Sequence, residues 1–283
     1  MNKIRWNPAD RPAMNIKENK GVTYLTYPAL EELSGFVHAF STRLGGVSEG
    51  IYSSMNLSFT RGDDENSVME NYRRLAEAVG FSVENIVTSD QTHTANVCVI
   101  TEADRGNGIT KPRPYTDVDG MITNVPGLVL ATFYADCVPL YFIDPVRKAI
   151  GLSHSGWRGT AAHIGAVTVR RMQEEYGSLP EDIYGAIGPS ICQECYEVSE
   201  DVILEFQKTF PEQSWRDLFY RKENGKYQLN LWEANRQIML EAGLIEEHIS
   251  LPGLCTCCNP EFLFSHRASR GKRGNLGAFL GII

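Results

Sequence analysis

Three short segments each put a metal-competent side chain beside small or turn residues at the end of an apolar stretch. They are Gln91-Thr92-His93-Thr94, Ala135-Asp136-Cys137-Val138-Pro139 and Ser153-His154-Ser155-Gly156-Trp157-Arg158-Gly159-Thr160. The separations, 44 residues from His93 to Cys137 and 17 from Cys137 to His154, are too long for a zinc-finger clip. They suit a catalytic site, where distant strand ends supply three ligands and a fourth tetrahedral position stays open for water. Two imidazoles and a thiolate are a sound donor set for zinc. The alternative is packing alone, since strand-end His and Cys are often simply buried.

A second cysteine group combines Cys192-x2-Cys195 with Cys255-x-Cys257-Cys258. It reads either as a four-cysteine structural zinc site or, the favoured alternative, as buried thiols or a redox-prone pair. Cys98 alternates within a strand and reads as core. His38, in an apolar strand, reads as a structural histidine with its hydrogen bonds satisfied. His163 falls within a helix one turn from Arg158-Gly159 and reads as helix surface. His248, next to Glu246 and Glu247, reads as solvated, and His266, next to Arg267, as a bystander, with pocket lining the lesser alternative. Arg267, Arg270, Lys272 and Arg273 make a basic turn, either a solvated loop or a lure for an anionic ligand.

The elements that must position these residues follow from periodicity. Apolar, β-rich runs predict strands at 22–27 and 36–42, then at 86–89, 96–100, 120–123, 128–134, 140–143 and 149–154. Further strands are expected at 183–187, 249–251, 262–265 and 276–282. Asn66 is read as the N-cap of a helix that Gly80 stops, and 160–176 as a long helix ended by Gly177, with Thr160 as its N-cap. Helices are also expected at 200–210 and 231–242. Asn224-Gly225 predicts a hairpin. The glycine- and serine-rich stretch 43–60 reads as a long functional loop. With no repeat and no interdomain linker, the chain reads as a polar N-terminal arm, 1–20, and one domain, 21–283. That domain is α/β or α+β, with mixed sheets and helices outside.

The 283 residues are enough to bury a large core without staples. A net charge of −8 opposes a broad nucleic-acid surface, which needs excess Lys and Arg. No apolar run approaches the ~18 residues of a membrane span, and the first residues lack a secretory h-region. A cytoplasmic protein with reduced thiols is therefore expected, with no nucleic-acid or membrane partner. Six His with no His-x-His pair exclude an ordinary multicopper centre.

Taken together, several motifs resemble the YfiH/YlmD family. They are Ser41-Thr42-Arg43-Leu44-Gly45-Gly46-Val47-Ser48, Gln91-Thr92-His93, Ala135-Asp136-Cys137-Val138-Pro139 and His154-Ser155-Gly156-Trp157-Arg158-Gly159-Thr160. Ile187-Gly188-Pro189-Ser190-Ile191 with Cys195-Tyr196-Glu197-Val198, and Cys255-Thr256 with Phe264-Ser265-His266-Arg267, continue the match in order to the C-terminus. The resemblance implies an α+β fold in α/β/β/α layers, similar to the catalytic fold of cytotoxic necrotizing factors. It also implies His93, Cys137 and His154 as metal ligands. The family has been described as polyphenol oxidoreductase or laccase, and as zinc-dependent purine nucleoside phosphorylase with adenosine deaminase and methylthioadenosine phosphorylase activities. This chain departs from common family patterns by having Ser155 where many relatives have Ala, Thr92 and Thr94 around His93, and Ala268 after Arg267.

The implied phosphorolysis needs a site that holds a phosphate dianion and an oxocarbenium-like sugar. Arg43 and Arg158, both near glycines whose backbone N–H groups can approach an anion, are the candidates for phosphate, with Ser155 and Thr160 beside them, Thr160 equally as the helix N-cap. Asp136 is the candidate to orient a ligand histidine, or else to cap a turn. Trp157 reads as core before nucleobase platform. Purine nucleosides and phosphate are thus the expected partners, and a homodimer is an open option. Two other activities compete: a metal-free cysteine hydrolase or amidase with Cys137 as nucleophile, of the kind that edits peptidoglycan precursors, and a copper phenol oxidase. Copper can replace zinc at an N/S site because Cu²⁺ binds more strongly. A non-enzymatic scaffold would leave the three strand-end ligands without purpose.

Overall fold

The computed structural model describes residues 4–7 and 13–283. Two six-stranded sheets stack face to face. The first runs in the order Asn15–Asn19, Val22–Thr26, Phe36–Ser41, Leu276–Ile282, Val129–Tyr134, Ile86–Thr88. It is antiparallel except at its last pair. The second runs Ile249–Ser250, Tyr184–Ile187, Val138–Asp144, Ala149–Ser155, Gly120–Thr123, Val97–Val99, with a parallel pair at each edge. A small antiparallel sheet joins Glu197–Val198, Tyr227–Leu229 and Phe219–Arg221, the last two linked by the Asn224-Gly225 hairpin.

Period-two alternation sorts each strand between two layers. Along Ala149–Ser155, Ile150 and Leu152 enter the core between the sheets, while Ala149 packs under the helices. Along Val138–Asp144, Tyr141 and Ile143 face the first sheet, while Val138, Leu140 and Phe142 face the helices. Helices Ile164–Tyr176, Glu200–Thr209 and Leu231–Glu241 cover that outer face through Met172, Phe206 and Ile238. Helix Glu65–Val79 covers the first sheet's outer face through Val68, Tyr72 and Leu75. The result is the expected single α+β domain in α/β/β/α layers. No helix among the described residues is long and apolar enough to cross a membrane.

Several expectations are corrected. Residues 15–19 of the supposed arm form a strand, paired in full register with Val22–Thr26 across a Lys20-Gly21 turn. Residues 1–3 and 8–12 of that arm lie outside the described residues. Asp64, not Asn66, caps the first long helix, accepting from the Ser67 N–H at 2.8 Å. The helix expected at 160–176 is two helices, Trp157–Ala161 and Ile164–Tyr176, broken at His163 with φ 55°. The break turns the second segment so that Ile164, Val169 and Met172 lie on the sheet. His163 therefore stands at a helix N-terminus against Phe210, 4.9 Å between ring centroids. The stretch 262–265 is no strand. His248 is not solvated but stacks on Tyr184 at 3.8 Å.

His38 is structural, as expected. It is buried, and its Nε2 accepts the Tyr27 N–H at 2.7 Å, which requires a neutral ring. Burial pulls it down from 6.5 to about 4. The unfolded imidazole binds a proton below its ordinary value and the folded one only near 4, so stability falls with pH across that window, by about 3 kcal/mol at most. Urea unfolding at pH 7 and pH 4.5 should show His38→Gln losing less stability on acidification than wild type. Equal losses would remove His38 from that role.

Candidate metal centre

The register of the second sheet builds the site. Pro139 pairs with His154 and Val138 with Ser155, so Cys137 falls beside Gly156 at the strand end. By parity, Cys137 and His154 share the face that carries Tyr141 and Ile150, toward the first sheet. His93 arrives from a loop, in the left-handed region at φ 68°. The donor atoms of His93, Cys137 and His154 lie within 4.8 Å of one another. His93 is exposed, Cys137 half-buried and His154 buried, a gradient that leaves one side of the group open to solvent.

Asp119, which sequence reasoning missed, organises the two histidines. It is fully buried, immediately before strand Gly120–Thr123. Its Oδ1 meets His154 Nδ1 at 2.8 Å and accepts the His93 N–H at 3.1 Å. Its Oδ2 accepts the N–H groups of Thr92 and Thr94, at 3.1 and 2.8 Å, and the Thr94 hydroxyl at 3.0 Å. One carboxylate thus fixes the tautomer of His154, leaving Nε2 free, and folds the loop that presents His93. The only hint in the sequence is an acidic residue directly before a buried strand.

The charges follow from this packing. Burial pushes the Asp119 carboxyl up, but His154 and the backbone N–H groups of Thr94 and Thr92 hold it at about 2. Burial opposes the charged form of His154, yet the Cys137 sulfur and Asp119 raise it to about 9. Burial likewise opposes the Cys137 thiolate, but both histidines bring it down to about 6. A thiolate between two imidazoles is the state a metal ligand requires.

Gly156 is the cradle of the group. A Cβ there would lie 2.9 Å from His93 Cδ2 and 3.2 Å from Cys137 Sγ. Its backbone is ordinary, φ −70°, so glycine is needed for space. Gly156→Ala is expected to part the donors and weaken zinc affinity by at least about tenfold, with little change in melting temperature. Competition with a chromophoric chelator checks this, and unchanged affinity would show that the cradle does not matter.

The three donors line a cleft of ≈ 940 Å³. Its other walls carry Phe59, Met69, Tyr72 and Phe133, and the cations Arg61, Lys111, Arg113 and Arg273. Arg113 pairs with Asp90 at 2.7 Å and Lys111 donates to the Ala103 carbonyl at 2.7 Å. Arg273 is buried, and burial and the neighbouring Arg61 guanidinium pull it down to about 10. Its Nε is buried without a hydrogen-bond partner among the described residues.

The other candidates stand elsewhere. Arg43 does not line the cleft; its guanidinium donates to the carbonyls of Ser53 and Pro260 at 2.7–2.9 Å and lies over Phe264. Arg158 is exposed over the Trp157 ring, outside the cleft lining. Ser155 is buried, its hydroxyl bonded to Thr160 and Asn235 at 2.9 Å. Thr160 completes that network and caps no helix. Asp136, at φ 89°, accepts from the Thr256 hydroxyl at 2.6 Å and the Arg267 N–H at 2.7 Å. It braces a loop; the role of orienting a histidine belongs to Asp119.

A family described as multi-copper polyphenol oxidoreductase laccase matches residues 37–283. The chain is 40% identical over 252 residues to "Purine nucleoside phosphorylase YlmD" of Geobacillus stearothermophilus, covering 88% of this chain and 90% of that protein. It is 34% identical over 234 residues to "Adenosine deaminase RL5" of an unknown prokaryotic organism, covering 82% and 88%. The crystal structure of YlmD from Geobacillus stearothermophilus superposes with a TM-score of 0.89 at 38% identity, over 96% of this chain and 99% of that one.

Proposed function

The chain belongs to the multi-copper polyphenol oxidoreductase laccase family and is an enzyme, and from that premise we propose a zinc-dependent purine nucleoside phosphorylase that also deaminates adenosine. Adenosine, inosine and methylthioadenosine are its proposed substrates. One observation carries the reading: His93, Cys137 and His154 converge in a cleft that also holds the buried Arg273 guanidinium, whose Nη1 donates to Gly274 and Asn275 while its Nε has no partner among the described residues. The N₂S donor set, gathered around a glycine that leaves no room for a side chain, fits zinc with an open fourth position. When bound, the ion supplies Lewis acidity and lowers the pKa of a coordinated water. The membership does not bring multicopper chemistry with it. Among the described residues the two groups able to hold a metal are this one and a four-cysteine set, and neither is a histidine cluster.

The chain's own residues do the rest. Arg273, with an unspent Nε–H, and Arg61 hold phosphate, replacing Arg43 and Arg158 in that role. Phe59, Met69, Tyr72 and Phe133 give the purine an apolar wall. Phosphate attacks C1′ as the C1′–N9 bond breaks, and paired guanidinium groups keep the dianion aimed at the cationic sugar. Asp119 keeps His154 in one tautomer throughout. Incubating zinc-loaded protein with inosine, with and without phosphate, tests the reading. Hypoxanthine and ribose 1-phosphate should form only with phosphate, and adenosine should yield inosine without it. Untouched inosine and adenosine would overturn the assignment.

A further inference from the structure

We propose a second metal site, a structural zinc held by Cys192, Cys195, Cys255 and Cys258. Their four sulfurs lie within 4.8 Å of one another, and none is in a disulfide. Cys195 Sγ and Cys258 Sγ are 3.4 Å apart, and Cys192 Sγ and Cys258 Sγ 4.0 Å. A tetrahedral ion with Zn–S bonds of about 2.3 Å separates its sulfurs by about 3.8 Å. A disulfide needs about 2.05 Å and accounts for two sulfurs at most.

The backbone supports the same reading. Each half is a Cys-x2-Cys turn. Cys195 N–H and Tyr196 N–H both donate to the Cys192 carbonyl, at 3.1 and 3.0 Å. In the other half, Asn259 N–H donates to Thr256 and Asn259 Nδ2 to the Cys255 carbonyl at 2.9 Å. The Cys192 N–H donates to Cys255 Sγ at 3.2 Å, a bond that stabilises thiolate more than thiol. A bridge between Ser190 and Cys255 zips the two turns together. The fifth cysteine, Cys257, stays outside the group.

The site acts as a staple on the catalytic strand end. Both turns reach Asp136, the residue before Cys137. The Ile191 N–H donates to its carbonyl at 3.0 Å, and the Thr256 hydroxyl to its carboxylate at 2.6 Å. An ion joining the turns fixes the loop from which Cys137 projects. The site stands independently of the activity proposed above.

Zinc content of the purified protein, measured by mass spectrometry under reducing conditions, tests this. Cys195→Ser/Cys258→Ser should hold one equivalent less than wild type and melt at a lower temperature. That difference is independent of whether the His93 site is filled. The variant His93→Ala/Cys137→Ser should keep one equivalent, and its cobalt form should show the charge-transfer bands of tetrahedral S₄ ligation. This second reading stands even if the cysteine variant does not fold. Equal zinc in wild type and Cys195→Ser/Cys258→Ser, a cobalt form of His93→Ala/Cys137→Ser without thiolate bands, or iron in place of zinc would overturn the proposal.

Discussion

Cys137→Ala is expected to leave a folded protein that has lost the zinc of the catalytic site and both activities. The side chain removed is small and half-buried, so the stability cost is about 1 kcal/mol. The functional cost is far larger. Without the thiolate, two imidazoles remain, one exposed and one buried, and two neutral donors do not hold zinc against dilution. A bound metal contributes several kcal/mol to a transition state, and each 1.4 kcal/mol or so is a decade in rate. Phosphorolysis and deamination should therefore fall together by about a thousandfold or more. Inosine and adenosine turnover, with metal content measured on the same samples, checks this.

The same variant separates two chemistries that share one sulfur. A thiolate held near 6 beside a histidine near 9 also describes a cysteine nucleophile and its base. Chelated wild type would keep its activity if Cys137 attacked substrate. If Cys137 is a ligand, chelated wild type matches Cys137→Ala, and added zinc restores only the wild type. Alkylation of Cys137 should also slow when zinc is present. Chelator-resistant activity abolished by alkylation would transfer the assignment to a hydrolase.

The convergence of His93, Cys137 and His154 is legible in the sequence because strand ends are legible. Gly120–Thr123 and Leu276–Ile282 begin and end where alternation and turn residues place them. Cys137 and His154 are fixed by the register of one hairpin. What was hidden depends on contacts remote in sequence. Asp119 collects donors from residues 25–27 positions earlier and 35 later, and its one local mark is its place directly before a buried strand. Arg43 and Arg158 look like anion binders because glycines flank them, yet the Arg43 guanidinium donates to carbonyls and the Arg158 guanidinium lies exposed over the Trp157 ring, outside the cleft. Arg273 sits in a turn whose other basic residues are exposed, so its burial could not be read from charge alone. The break at His163 was invisible for a similar reason: helical spacing continues across it, and only docking on the sheet requires the change of direction.

Asp119→Asn should expose how much of the centre rests on one carboxylate. Five donors converge on its two oxygens: three backbone N–H groups, the Thr94 hydroxyl and the His154 ring. An amide of the same shape offers one oxygen and turns an NH₂ toward donors that have no other partner. Each buried donor left unsatisfied costs about 1–3 kcal/mol. If the amide oxygen serves His154, the 92–94 loop loses its anchor, and His93 no longer has reason to stay at positive φ. If it serves the loop, His154 loses the partner that fixes its tautomer. Either way one ligand loosens, so zinc affinity should drop by about 10–100-fold. The metal-free protein should also melt lower, by on the order of 5 °C. Excess zinc should restore much of the activity of Asp119→Asn but none of that of Cys137→Ala, because the first variant keeps all three donors. Chelator competition, thermal melts of the metal-free proteins and turnover against zinc concentration give these three readings. A wild-type affinity in Asp119→Asn would show that the hydrogen bonds to this carboxylate merely accompany the site and do not build it.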